Sequence, residues 1–139
     1  ENDIALIQLP EEVTLSEVIQ TICLGANWRI PFGGKASVSG WGLLNATDSE
    51  LPNILHHTQL DVLTESSCKN PQFFICTFTP GKGTCNGEAG APLMVKQGYQ
   101  WYQVGIASHG PIDCGISNSP DVYTRLPKFH EFINRIIKF

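Results

Sequence analysis

The sequence carries little charge of either sign and contains no clustered basic stretch. Its 139 residues include nine Lys or Arg and 13 Asp or Glu, so the formal net charge is −4 at pH 7. Nucleic acids and anionic membrane surfaces attract proteins through positive patches, and we therefore expect neither as a partner. Long apolar runs are also missing. None approaches the roughly 20 residues that a membrane-spanning helix needs, and we expect no membrane partner.

Metal-ligand spacings are absent as well. The sequence has no Cys-x2-Cys pair and no His-x3-His pair, which are typical of zinc sites, so we expect no metal and no cofactor. The odd cysteine count favours two internal disulfides plus one cysteine that bridges to another chain. Disulfides form in oxidising compartments, which predicts a secreted, extracellular protein. The five cysteines are Cys23, Cys68, Cys76, Cys85 and Cys114.

Two features concern processing. The chain begins at Glu1, with no initiator Met and no visible signal peptide, and we interpret it as a processed product. Asn45-Ala46-Thr47 is the only N-glycosylation sequon and lies in a polar stretch. We therefore expect a surface loop that carries sugar at Asn45.

Short apolar stretches separated by Gly- and Pro-containing turns dominate the chain and predict an all-β fold. Residues 54–62 alternate in the manner of a half-buried strand, and Gln97-Gly98-Tyr99 is typical of a hairpin turn. Residues 13–22 lack helical spacing and predict an extended connector. The expected strands are 1–9 (a buried run), 35–41, 54–62, 73–78, 92–96, 101–108 and 122–125.

Only the end of the chain has helical periodicity. Five apolar residues follow the spacing i, i+3, i+4, i+7 and i+8, which predicts one apolar stripe on an amphipathic helix. Pro127 lies just before this stretch and suits a helix start. Short strands followed by one terminal helix indicate an antiparallel β-barrel. The stripe consists of Phe129, Phe132, Ile133, Ile136 and Ile137.

A series of motifs then occurs in a characteristic order: Asn2-Asp3-Ile4-Ala5-Leu6, Cys23-Leu24, Ser39-Gly40-Trp41-Gly42, Cys76, the loop 83–93, Gly105 to Gly110, Cys114, and Pro120 to Arg125. Over essentially its whole length the chain resembles the trypsin-like serine proteases. The resemblance implies the C-terminal antiparallel β-barrel of the family's double β-barrel, with a C-terminal α-helix, over residues 23–139. Residues 1–22 would be the last strand of the N-terminal barrel and the connector.

The same resemblance implies how the cysteines pair. Cys68 would pair with Cys76, and Cys85 with Cys114. Cys23 would join the chain to a separate partner chain that carries the N-terminal barrel and the family's catalytic histidine. A further family disulfide would join the positions of Ala36 and Val95, and both cysteines are missing together.

The loop 83–93 matches the nucleophile loop of the family, with G-E-A-G-A-P in place of G-D-S-G-G-P. By resemblance, Ala89 occupies the nucleophile position, Gly87 an oxyanion-hole position and Glu88 the position of the activation aspartate. Asp3 occupies the position of the triad aspartate. A methyl group has neither a lone pair nor an acidic proton, so Ala89 cannot attack a carbonyl carbon.

The resemblance also implies a specificity pocket, formed by Gly83, Ser108, His109, Gly110 and Asp121. Gly83 stands where trypsin-like enzymes place an aspartate, and Asp121 stands where most have glycine. Three interpretations of Asp121 stay open: it attracts Lys or Arg, it is an exposed turn acid, or it fills the pocket and closes it. His109 replaces a common tryptophan and either binds a ligand, responds to pH or is a smaller wall residue.

The adjacent histidines His56 and His57 do not occupy the family's base position, and we interpret them as ordinary sheet residues that point to opposite faces.

Three functions compete at this stage. The first is a secreted serine protease homologue without proteolytic activity, which acts as a binding or regulatory subunit and holds a protein ligand in the cleft. The second is an active trypsin-like serine endopeptidase that carries an engineered Ser-to-Ala change at Ala89. The third is a structural or storage protein that reuses the fold. The altered neighbours Glu88 and Ala91 favour the first.

Overall fold

A computed structural model describes residues 2–24, 30–114, 116 and 118–137. Seven strands make up the sheet: β1 Cys23–Leu24, β2 Lys35–Gly40, β3 His56–Asp61, β4 Phe74–Thr77, β5 Pro92–Gln97, β6 Gln100–His109 and β7 Asp121–Arg125. Short 3-10 turns lie at Glu65–Ser67 and Leu126–Phe129, and the helix α1 spans His130–Ile137. The prediction of an all-β fold with one terminal helix is confirmed.

The strands form one curled sheet in the order β3-β2-β5-β6-β7-β4, with antiparallel pairing along this path. An isolated antiparallel bridge between Val62 and Thr77 links the two edges of the sheet. The short strand β1 differs from the expectation, because it pairs with β6 in parallel. The predicted hairpin at Gly98 is confirmed, because β5 and β6 pair antiparallel and Gln97 lies opposite Gln100.

One apolar core fills the curl of the sheet. The alternation of the strands directs every second side chain inward, and Leu60, Ile75, Leu93, Val104 and Tyr123 are fully buried there. Ala36 and Val95, the positions of the missing family disulfide, are both buried members of this core. Apolar packing therefore occupies the two positions at which the resemblance implies a disulfide in the family.

Two disulfides stabilise the loops around the sheet. Cys68 is bonded to Cys76 and Cys85 to Cys114, as the resemblance implied. The second of these joins the 83–93 loop to the segment that precedes β7. Cys23, in β1, is half-buried and carries a free thiol in this chain.

The strand expected at 1–9 does not form within the part of the chain that the structure describes, and its place in an N-terminal barrel stays a prediction. Residues 2–9 form no strand, and most are exposed, with Ile7 87% exposed. A strand is buried only when another strand or layer packs against it, and no strand of the described residues pairs with this segment. Glu1 lies outside the described residues.

The terminal helix begins later and buries less than its periodicity predicted. Phe129 belongs to the 3-10 turn that contains Pro127, and α1 starts at His130. Within α1 only Ile133 is fully buried, while Ile136 is 57% exposed. Along the stripe, Phe129 and Phe132 are half-buried, Ile133 is buried, and Ile136 and Ile137 are exposed.

Candidate functional site

The 83–93 loop is held in place by backbone hydrogen bonds to β6 and within itself. The Gly90 N–H donates to the carbonyl oxygen of Ala107 at 2.9 Å, and the Ala107 N–H donates to that of Ala91 at 2.8 Å. Gly87 and Gly90 adopt φ of +90° and +93°, a region that favours glycine. Between these two turns the Ala89 side chain is exposed. The loop therefore presents residue 89 outward on a fixed backbone.

Glu88 lies beside Ala89, and its side chain is directed toward two glycines near the end of β2. The Glu88 Oε1 accepts a hydrogen bond of 2.7 Å from the N–H of Gly42. The Oε2 atom is buried, with no hydrogen-bond partner among the described residues. A Cβ at Gly40 or Gly42 would collide with this carboxylate, so both glycines make room for it. The Glu88 side chain thus reaches from the loop to the segment at the end of β2.

Asp3 lies in a short hydrogen-bonded chain with two residues at the end of β6. Ser108 Oγ donates to Asp3 Oδ2 at 2.7 Å and lies 3.1 Å from His109 Nδ1. The Thr124 hydroxyl donates to the Asp3 carbonyl oxygen at 2.8 Å. The His109 ring meets Phe74 edge to face, with 5.9 Å between the ring centroids. The irregular segment 2–9 is therefore joined at Asp3 to β6 and β7.

A cavity of about 250 Å³ lies between the 83–93 loop and the end of β6. Its lining includes Gly87, Glu88, Ala89, Ser108, His109 and Gly110. A second groove, of about 540 Å³, adjoins it. This groove is largely apolar, and Asp3, Leu6, Ile106, Leu126, Ile133 and Ala89 line it. Ala89 borders both concavities, so any group at residue 89 faces ligands in either one.

Asp121 does not line either of these spaces within the described residues. It is only 6% exposed, and its Oδ2 accepts a hydrogen bond of 3.0 Å from the Thr84 N–H. Burial, which disfavours the charged form, raises the pKa of Asp121 above its ordinary value, although the Thr84 hydrogen bond opposes the shift. The interpretation of an exposed turn acid is therefore wrong.

The structure brings together most of the predicted site but not all of it. Ser108, His109 and Gly110 share the 250 Å³ cavity with Gly87 and Ala89. Gly83 instead lines a cavity of about 310 Å³ on the other side of the loop. Both His56 and His57 are exposed in β3 and border that same cavity, and the expectation that their side chains point to opposite faces stays a prediction. Asn45 also lines it and lies exposed on a turn closed by Asp48.

Three hydrogen-bond donors that hold the site residues were not predicted from the sequence. The Thr84 N–H holds Asp121, the Gly42 N–H holds Glu88, and the Thr124 hydroxyl holds the backbone of Asp3. Two of these are backbone N–H groups, which every residue except proline carries, so no residue-type signal could have identified them.

Among the described residues, no cluster of three or more His, Cys, Asp or Glu side chains could hold a metal ion. No helix in the described part of the chain is both long enough and apolar enough to cross a membrane.

Comparisons with known proteins agree with this geometry. The family model described as Trypsin matches residues 1–133. Human "Serine protease 41" is 33% identical over 152 aligned positions, which cover 98% of this chain and 48% of that protein. "Transmembrane protease serine 11G" is 33% identical in the rat and 32% in the mouse, over 96% of this chain and 34% of each relative. The chain thus spans about a third to a half of the length of these curated relatives.

Proposed function

Because this chain belongs to the trypsin family of serine proteases, we propose that it is a non-proteolytic member of that family. In this proposal it acts as a binding or regulatory subunit that holds an extended segment of a protein ligand. One observation carries the proposal: the exposed side chain between the 250 Å³ cavity and the neighbouring groove is the methyl group of Ala89. A methyl group offers no oxygen to attack a peptide carbonyl.

The surroundings of Ala89 support binding without chemistry. Gly87 and Ala89 lie on a backbone fixed by the Gly90 and Ala91 hydrogen bonds, so their N–H groups can hold a carbonyl oxygen. Asp3 already accepts a hydrogen bond from Ser108. Proteases stripped of their triad keep only about 10³–10⁴-fold acceleration over water. These residues therefore favour binding of a ligand over hydrolysis.

An active endopeptidase with a replaced serine is the second candidate, since the relatives that the comparisons found are named as proteases. Protein purified from its natural source separates the two, because it would carry the nucleophilic serine only if the second candidate is correct. We expect no hydrolysis of peptide esters by native material and no labelling of this chain by a fluorophosphonate, a serine-directed reagent. Turnover together with labelling of this chain would overturn the proposal.

Substitution in the loop gives a second test. Ala89→Ser adds the missing hydroxyl, and Ala91→Ser is a matched control that adds a hydroxyl two residues away. We expect neither variant to hydrolyse peptide esters in the native assembly, because Glu88 and Ala91 also depart from the family pattern. Turnover in Ala89→Ser alone would favour the endopeptidase.

We further propose that a separate chain, the N-terminal half of the double barrel, covers the 540 Å³ groove and is disulfide-linked through Cys23. Leu6 and Leu24 line this groove and are exposed, and an apolar surface of this kind favours a covering partner. The Cys23 thiol is free within this chain. The intact mass of the native protein should fall on reduction by the mass of the partner chain. An unchanged mass, apart from the reducing hydrogens, would contradict this arrangement.

Secretion and glycosylation belong to the same proposal. Two disulfides are typical of an oxidising, extracellular environment, and Asn45 lies exposed on a turn. Protein secreted from eukaryotic cells should lose mass on treatment with an N-glycosidase, and an Asn45→Gln variant should not. A wild-type mass that is insensitive to the enzyme would remove the glycan from the proposal.

A further inference from the structure

Asp121 lies at the start of β7, in a space that two glycines leave open. A Cβ at Gly83 would lie 2.6 Å from Asp121 Oδ2, and a Cβ at Gly110 would lie 2.5 Å from Oδ1. Both separations are shorter than real Cβ contacts tolerate. The carboxylate is therefore enclosed between the backbones of two segments that form the walls of the candidate binding site.

The carboxylate is also shielded from the cavities around it. Gly83 and Thr84 line the 310 Å³ cavity, and Thr84 and Gly110 line the 250 Å³ cavity, whereas Asp121 lines neither of them. Asp121 is only 6% exposed, and one of its oxygens is engaged by the Thr84 N–H at 3.0 Å. A ligand in either cavity meets the glycine and threonine backbones first.

The interior side of Asp121 is polar but poorly suited to a negative charge. Tyr123 and Thr77 are fully buried, and neither side-chain oxygen has a hydrogen-bond partner among the described residues. Burial, followed by the nearby charge of Asp121, raises the pKa of the Tyr123 hydroxyl. Burial likewise raises the pKa of Asp121. These shifts mean that the surroundings disfavour an ionised carboxylate, which weakens any long-range pull on a cation.

The Glu88 carboxylate, whose residue lines the cavity, is turned away as well, and the Asp3 carboxylate accepts the hydroxyl hydrogen of Ser108. Glu88 is directed toward Gly40 and Gly42, one of its oxygens is bound to the Gly42 N–H, and the other is buried. A cationic side chain that entered the 250 Å³ cavity would lose water and would form no ion pair with Asp121 or Glu88. Burying a charge without a partner is strongly unfavourable.

From this geometry we propose that Asp121 is an internal tie between the Gly83–Thr84 and Gly110 walls, and that the 250 Å³ cavity accepts an uncharged peptide side chain and rejects Lys and Arg. The proposal rests on the proposed function, because it assumes that the site binds a peptide. It assigns Asp121 to wall positioning and gives the pocket a selectivity opposite to that of an acid-floored pocket.

A matched pair of peptides tests the selectivity. Fluorescein-labelled Ala-Ala-Ala-Arg-amide and Ala-Ala-Ala-citrulline-amide have side chains of nearly the same shape, and only the first is charged. Their dissociation constants for the native protein are measured by fluorescence anisotropy. We expect the citrulline peptide to bind at least about tenfold more tightly, equivalent to about 1.4 kcal/mol.

The variant Asp121→Asn, which retains the shape of the side chain, completes the test. We expect it to leave the ratio of the two dissociation constants unchanged, because the carboxylate does not face the ligand. A wild-type preference for the arginine peptide that disappears in Asp121→Asn would overturn the inference and leave the proposed function standing. Failure of both peptides to bind the wild type would instead overturn the proposed function, and the inference with it. The wild-type comparison decides the selectivity even if the variant does not fold.

Discussion

The Glu88 carboxylate and the Gly42 backbone are joined by a hydrogen bond of 2.7 Å across 46 residues of sequence. The contact ties the loop that presents Ala89 to the segment that follows β2. A charge-assisted hydrogen bond from a carboxylate to a backbone N–H is stronger than one between neutral groups. The bond therefore contributes to the fixed position of the loop as well as to the stability of the fold.

Removal of this acceptor should destabilise the protein. Glu88→Ala leaves the Gly42 N–H, in a buried residue, without its partner, and we expect the free energy of unfolding to fall by about 1–3 kcal/mol. Glu88→Gln keeps an acceptor oxygen at the same reach and should lose less. Urea unfolding followed by fluorescence measures both. Equal stability of Glu88→Ala and the wild type would show that water replaces the acceptor.

The cost of a side chain at position 40 should depend on Glu88, whose carboxylate occupies the space beside Gly40. Gly40→Ala places a methyl group against the Glu88 carboxylate, and we expect a loss of about 1–3 kcal/mol in the free energy of unfolding, as for overpacking. The same substitution in a Glu88→Ala background should cost much less. A double-mutant cycle by urea unfolding gives the coupling energy. Additive effects would show that the collision is relieved elsewhere.

Stability should depend on pH through Asp121, whose pKa burial holds above its ordinary value. An unfolded aspartate has a pKa of about 3.9, so above about pH 4 the unfolded chain releases a proton that the folded protein still binds. The stabilisation from this group is complete below about pH 4 and is lost as the pH rises through the folded-state pKa.

Asp121→Asn cannot ionise and is the reference for this pH effect. The free energy of unfolding of the wild type, minus that of the variant, should decrease as the pH rises through this window. Thermal or urea unfolding at several pH values measures the difference. A flat difference would show that folding does not shift the pKa of Asp121, and a difference that increases with pH would show that its contacts stabilise the ionised carboxylate.

The two disulfides should differ in their contribution to stability. In the loop-entropy account, a crosslink contributes more when it closes a longer loop. Cys85–Cys114 closes a separation of 29 residues and Cys68–Cys76 one of eight, which corresponds to about 3.5 and about 2.5 kcal/mol. Replacement of each pair by alanine, with the other pair as control, can be compared by urea unfolding. A larger loss from the shorter loop would contradict the entropic ranking.

Much of the fold was accessible from the sequence because its signals are local. The alternation at 54–62 and the turn at Gly98 both lie within a few residues of the strands they predict, and β3, β5 and β6 formed accordingly. Local signals say less where the pairing of a strand depends on a distant layer. Residues 2–9 are apolar enough for a strand, but no described strand pairs with them.

The candidate site was predictable in its membership and less so in its arrangement. Ser108, His109, Gly110, Gly87 and Ala89 were expected together, and they line one cavity. Their roles in the family's chemistry stay predictions. The position of Gly83 on the opposite cavity was not foreseen, because which side of a loop faces a cavity depends on packing around both sides.

The sequence alone determines that residue 89 has no nucleophilic oxygen, since a methyl group is inert in any fold. Only the tertiary structure decides what Asp121 does. Its environment is made by Gly83, Thr84 and Gly110, and the Thr84 N–H that engages it lies 37 residues away in the chain. A side chain carries its chemical identity with it, whereas its solvation and its partners come from whatever the fold brings alongside.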